Sequence, residues 1–265
     1  MSLLINAIIA SILAGSLCGI IGIFMIRLKL NTIGFSTAHA ALTGAALGVF
    51  LGKDPSILSI LLALFTSFIL GPLSDTLRLP LDLISMILFS LYTALAFIFI
   101  FLSPGTALSA EAVSNVLWGS ILAVTYGYIV ILLCLLFIIM IFIWNFKIKL
   151  MAILYDRKLA EAEGIQTNYY LYSLIFLMGL IISLTLRITG GFFVFSLLFN
   201  PSSAALQLFS DIKKILIASP LLSISAALLG LSLSYIFNLP VGASIALTSS
   251  ILLAISSIFS KFKKR

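Results

Sequence analysis

Charge is the first thing this sequence has little of. Only 9% of its 265 residues are charged, and there is one histidine, two cysteines and eight acidic residues. A soluble fold of this length needs far more polar surface, so a soluble globular class is excluded. The two cysteines, Cys18 and Cys134, both lie inside apolar runs and read as small packed residues, not as a disulfide or a thiolate site. No HExxH, paired CxxC, P-loop or nucleophile elbow is present. Any energy source must therefore lie on another chain or in an ion gradient. A cleavable signal is also missing. The first apolar run, Leu3–Ile26, lacks a basic n-region, is long enough to span a bilayer, and ends in Arg27 and Lys29.

What the sequence has is apolar length. It is 62% hydrophobic with a mean hydropathy of +1.30, the composition of a polytopic membrane protein. Nine crossings are expected, at about 3–26, 32–51, 56–74, 80–102, 116–144, 169–187, 190–210, 215–237 and 241–260. The fifth is over-long and implies tilt or extension beyond the bilayer. The expected fold is all-α: a transmembrane helical bundle of eight or nine spans, one permease-sized domain over 1–265, with no room for a soluble domain. Its longest polar segment lies at about 145–168.

The net charge of +7 invites a nucleic-acid reading, but the basic residues sit singly or in pairs between apolar runs, apart from the tail beginning at Lys261. With the N-terminus outside, thirteen of the fifteen Lys and Arg residues fall on the cytoplasmic side and only Lys53 and Arg187 on the other. This positive-inside bias predicts an outside N-terminus, a cytoplasmic C-terminus and an odd number of crossings in the cell membrane.

Three constellations stand out. In Thr32–Asp54 the lone His39 shares a helix face with Ser36 and Thr43, while Ser36, Ala40, Gly44 and Gly48 recur every fourth residue and invite close helix approach. A buried imidazole marks a pathway or substrate site, or else is a neutral side chain satisfied by a carbonyl, Ser36 or Thr43. In the second, Asn200-Pro201 followed by Ser202 reads as a helix start inside a crossing, either a break beside a water-filled cavity or a packing kink. The third is Asp156–Gly164. Asp156 is placed as an N-cap and Gly164 as a C-terminal stop, with Leu159, Ala160 and Glu163 between them. It forms either a short helix for docking a soluble motor or a solvated loop. The acids Asp54 and Glu111 fall in outside loops, and Asp75, Asp82 and Asp211 at cytoplasmic span ends.

Read in order, these stretches resemble the membrane permeases of ATP-binding-cassette importers for zinc, manganese or iron. The run Gly34-Phe35-Ser36-Thr37-Ala38-His39-Ala40-Ala41-Leu42-Thr43-Gly44 is similar to that family's G-D-x-x-S-H-A-x-L-P-G motif. Further resemblances lie in Asn115–Leu122, in Asp156–Ile165, in Leu198–Ala204 and in Tyr235–Ser244. The resemblance implies a permease that dimerises, binds cytoplasmic ATPase subunits carrying the ATP, and receives cargo from an extracytoplasmic solute-binding protein. It implies that His39 meets a transported divalent cation, that Asp156–Gly164 is a coupling helix, and that the chain holds no cofactor and has no enzymatic activity of its own. Three departures matter. Phe35 stands where the family has an aspartate, Ala38 where it has a serine, and Thr43 where it has a proline. A bare metal ion handled with few ligands, a metal chelate or another small solute all remain open as cargo. An ion-coupled carrier or channel is the alternative class, although no acid is placed at mid-span to serve it.

Overall fold

The computed structural model describes residues 2–103 and 121–263. Ten α-helices are present among them: α1 (Ser2–Arg27), α2 (Ile33–Phe50), α3 (Pro55–Leu77), α4 (Leu81–Leu102), α5 (Tyr126–Tyr155), α6 (Arg157–Ala162), α7 (Thr167–Thr189), α8 (Gly191–Leu208), α9 (Ile212–Phe237) and α10 (Val241–Lys263). A 3-10 turn over Ile121–Ala123 precedes α5. Nine of the ten, all but α6, are long and apolar enough to cross a membrane. The expected all-α architecture therefore holds. The Asn115–Ser120 part of the second resemblance, Glu111 and the last two residues lie outside the described residues.

The fifth crossing is a correction. It was expected at 116–144, but the helix runs Tyr126–Tyr155 with non-helical backbone at Phe146 (φ −110°, ψ 16°). At 30 residues it is about 45 Å long, well beyond the hydrocarbon core. The helix persists through Lys147 and Lys149 because its last turns keep an apolar stripe, with Leu150, Ile153 and Leu154 all buried. Lys149 donates to the Tyr170 hydroxyl at 2.6 Å, so its stem lies along the protein with its charge at the edge.

The chain forms two compact units. One is drawn from 1–26, 117–136 and 185–265, the other from 27–116 and 137–184. In the second unit α2 and α4 run parallel in constant register. Thr32 meets Asp82, His39 meets Phe89, Thr43 meets Tyr92 and Phe50 meets Phe99. The small-residue stripe of α2 faces α3: a Cβ at Gly44 would overlap the Leu58 carbonyl, and one at Gly48 would lie 2.6 Å from Pro55 Cα. In the first unit α1 packs on α8 and α9 in the same way, with Gly22 pressed against the Leu198 carbonyl and Ser202. Close approach of this kind is how membrane helices gain packing energy when lipid removes the hydrophobic drive between them.

Candidate functional site

His39 sits near the middle of α2, half-buried. Its Nδ1 lies 3.0 Å from the Phe35 carbonyl oxygen. A carbonyl can only accept, so in the neutral ring Nδ1 carries the proton and Nε2 keeps its lone pair. The ring edge packs on Phe89, with centroids 4.3 Å apart and planes at 68°. A fixed tautomer with an available Nε2 is the arrangement of a metal-binding histidine whose other nitrogen is held by a carbonyl. Ser36 and Thr43, expected beside it, do not bond the imidazole. Ser36 donates to the Ile33 carbonyl and is fully buried. Thr43 shares its proton between the His39 and Tyr92 carbonyls, at 2.8 and 2.6 Å.

The bond to the Tyr92 carbonyl ties α2 to α4. Tyr92 in turn receives a hydrogen bond from Thr66 of α3 at 2.7 Å, so one polar chain ties α2, α3 and α4 beneath the histidine. Its members are buried and bonded, which makes it a support and not a lining. Among the described residues no group of three His, Cys, Asp or Glu side chains gathers. His39 supplies an imidazole nitrogen here, and Phe35, 38% exposed on the same helix one turn earlier, adds an aromatic neighbour with no ligand atom.

The helix break expected at Asn200-Pro201 is absent. α8 continues through Pro201. Proline removes the N–H that the Leu197 carbonyl would have received, and the Ser223 hydroxyl donates to that carbonyl instead, at 3.4 Å. The break lies ten residues earlier, at Gly190, whose φ of +92° joins α7 to α8 through a single residue; only glycine adopts this backbone without strain. Asn200 is half-buried and donates to the hydroxyls of Ser249 and Ser250 at 2.9 and 3.1 Å. Ser202 is fully buried and bonds Ser219 at 2.9 Å, which donates to the Gly19 carbonyl at 2.7 Å. It seals the α1–α8–α9 seam and presents no surface.

The third constellation forms as read. Asp156 caps α6 by accepting from the Lys158 and Leu159 amides at 2.8 and 3.2 Å. Gly164, with φ +84°, ends it and positions Ile165 N to donate to the Ala160 carbonyl at 3.0 Å, the geometry of a left-handed helix stop. One detail differs. Ala160 is buried within the chain, whereas Leu159 is 52% exposed and Glu163 faces outward. Alternate faces of α6 thus belong to the chain and to solvent. Glu161 accepts from Thr167 and pairs with Arg157 at 3.0 Å. The Thr167 hydroxyl, then Arg157, hold its carboxyl below the ordinary glutamate range. Arg157 also donates to Asn168 at 2.7 Å. A shallow cavity of about 680 Å³ beside these residues is lined by Arg157, Glu161, Gly164 and Ile165 to Tyr169.

Sequence reasoning missed the parts played by five residues: Tyr92, Thr66, Tyr172, Thr32 and Asp82. None carries a local motif, because each works through a partner on another helix.

Known proteins give the same frame. The manganese import system permease protein ScaB of Streptococcus gordonii is 30% identical over 251 residues, covering 95% of this chain and 89% of that protein. The high-affinity zinc uptake system membrane protein ZnuB of Buchnera aphidicola subsp. Baizongia pistaciae is 27% identical over 252 residues, covering 94% and 95%. The solved structure of PsaBC from Streptococcus pneumoniae in complex with Fab superposes with a TM-score of 0.81 at 30% identity, covering 99% of this chain and 96% of that one. With residues 1–260 matching the family as a whole, this multi-pass membrane protein belongs to the ABC 3 transport family.

Proposed function

We propose that the chain is the membrane permease of an importer for a divalent metal ion, manganese or zinc before iron, energised by ATPase subunits on separate chains. The observation that carries this reading is the His39 tautomer, with Nδ1 held by a backbone carbonyl and Nε2 left as a borderline-soft nitrogen ligand suited to such ions. The names of the relatives from Streptococcus and Buchnera support the same cargo. With one imidazole and, among the described residues, no cluster of three metal-ligating side chains, contact with the ion is weak and brief, which suits a path better than a store. His39 is proposed to line that path, with Ser36 and Thr43 supporting it from packed positions in the same unit, while Asn200 and Ser202 are proposed to hold the packing of the other unit.

The complex around it follows from the same reading. A second copy completes the pore, an extracytoplasmic binding protein delivers the ion, and an ATP-binding subunit docks on Asp156, Leu159, Glu163 and Gly164. The N-terminus lies outside and the C-terminus in the cytoplasm, from the thirteen-to-two distribution of Lys and Arg. Cysteines placed at Asp54 and Lys264 label from opposite sides if this is so; labelling from one side refutes it. The direct test of function is ATP hydrolysis by the reconstituted complex, stimulated by Mn²⁺ or Zn²⁺ delivered on the binding protein. Stimulation by a metal chelate but by neither bare ion turns the assignment to chelate cargo, for which Phe35 and Phe89 beside the imidazole offer aromatic contact. No stimulation by any of these sinks the reading.

A further inference from the structure

The coupling helix and the His39 helix are far apart in sequence, yet one compact unit connects them by an unbroken series of polar contacts. The series starts at α6. Through Arg157–Asn168 and Glu161–Thr167, α6 and the first turn of α7 form one hydrogen-bonded block. One turn further along α7, the Tyr172 hydroxyl donates to the Asp75 carboxylate of α3. Its ring lies flat against Gly71, where any Cβ would overlap it, so Tyr172 is held by shape as well as by the bond.

Asp75 sits in the last turn of α3. The link from there to α4 is short and fixed: Ser74 donates to the Leu79 carbonyl at 2.6 Å, the Leu79 amide returns a bond to Ser74 at 3.2 Å, and Arg78 adopts the left-handed conformation with φ 55°. Four residues on, Asp82 in the first turn of α4 accepts from the Thr32 hydroxyl at 2.7 Å and from the Thr32 amide at 3.3 Å. Thr32 caps α2, two turns before His39. A carboxylate near the start of α4 also lies at the positive end of that helix, which fixes the acceptor to which Thr32 is tied.

We infer that the Tyr172–Asp75 and Asp82–Thr32 hydrogen bonds are the positioning contacts through which movement of the docked α6 helix reaches the His39 helix. The inference rests on the permease reading above. Energetic coupling between distant sites travels through contiguous packed side chains and hydrogen bonds that join rigid elements, and these two bonds are the polar joints nearest the α6 end of the unit, one between α7 and α3 and one between α4 and α2. Asp75 accepts the Tyr172 hydrogen bond here.

The test uses the complex with its ATPase subunits in liposomes and Mn²⁺ and Zn²⁺ as probes, reading ions moved per ATP hydrolysed. Tyr172→Phe keeps the ring over Gly71 and removes the donor. Its ion-to-ATP ratio falls about fivefold while ATP turnover stays within about twofold. Asp75→Leu matches it, Asp75→Asn retains an acceptor and recovers the ratio, and Tyr172→Phe combined with Asp75→Leu is no worse than either alone. Thr32→Val, at the other joint, gives the same fall and keeps the test intact where a Tyr172 variant folds poorly. Ratios unchanged in Tyr172→Phe and Thr32→Val overturn the inference. So does a loss of ion movement and ATP turnover in step with a lowered melting temperature, because that is what simple packing damage does. Wild-type complex that moves neither ion overturns the permease reading, and the inference with it, before any variant is compared.

Discussion

In α2 the imidazole of His39 bonds its own helix's backbone through Nδ1 and keeps Nε2 available, while in α8 the amide of Asn200 donates to two serine hydroxyls of α10. Both are single polar defects in membrane-length apolar helices. Both costs are met, but by different means. α2 is braced from behind, by Thr43, Tyr92 and Thr66, so its attachment to α4 does not depend on a hydrogen bond from the histidine. In α8 the polar atoms near Pro201 are the packing: Ser202 and Ser219 close the seam with α1, and Ser223 replaces the hydrogen bond that proline removes. The lesson is that a polar side chain in a span is a functional candidate when its neighbours have taken over the structural work, and a structural one when its own bonds join helices.

Four substitutions or conditions press on this contrast. The largest effect is expected at Gly22→Val, on the packed side. The new side chain would overlap the Leu198 carbonyl and Ser202, and a backbone neighbour cannot turn away. A loss of about 3 kcal/mol or more, at the upper end of overpacking costs, should appear as lost folded protein and a lower melting temperature in detergent. Next is Gly164→Val. Nothing lies within 4 Å of a Cβ there, so the penalty is backbone strain at φ +84°, about 1–2 kcal/mol. The fold survives while α6 is misdirected, and hydrolysis by the complex should run without ion movement; normal coupling would remove α6 from the account.

Asn200→Ala is milder. Interhelical hydrogen bonds in membranes average about 0.6 kcal/mol, so losing two should lower stability by about 1 kcal/mol, measured by unfolding in mixed micelles. The smallest effect concerns pH. Glu161 has a carboxyl held below its ordinary value of 4.5 by Thr167 and Arg157. The stabilisation of the α6–α7 joint is therefore complete above that ordinary value and lost as pH falls through the lowered one. Protection of the α6 amides, taken relative to their intrinsic exchange rates, should be flat from pH 5 to 8 and fall only in stronger acid; a fall near neutrality contradicts the assignment.

Much of this contrast was legible in the sequence. α2 is expected at 32–51 and observed at Ile33–Phe50, because a span bounded by Lys29 and Lys53 leaves little latitude. The stripe through Gly44 and Gly48 marks a close helix contact, and α3 supplies it. Asp156 and Gly164 act as cap and stop because capping is local chemistry. What failed was compensation. Pro201 predicts a break from its missing N–H alone, but the Ser223 hydroxyl that takes up the Leu197 carbonyl comes from another helix, 26 residues from that carbonyl. The end of α5 was misplaced for the same reason: Lys147 and Lys149 read as loop, yet Tyr170 of α7 receives the Lys149 ammonium and the helix continues.

The central claim is that His39 contacts the cargo and does not hold the fold. Uptake of Mn²⁺ and Zn²⁺ by liposomes containing the complex, compared between wild type and His39→Ala at equal protein density, tests it most directly. The account predicts uptake reduced by about tenfold or more, the order of effect that loss of a metal-site contact produces, with yield and melting temperature unchanged. Uptake at the wild-type rate would contradict it and leave His39 a packing residue like Asn200.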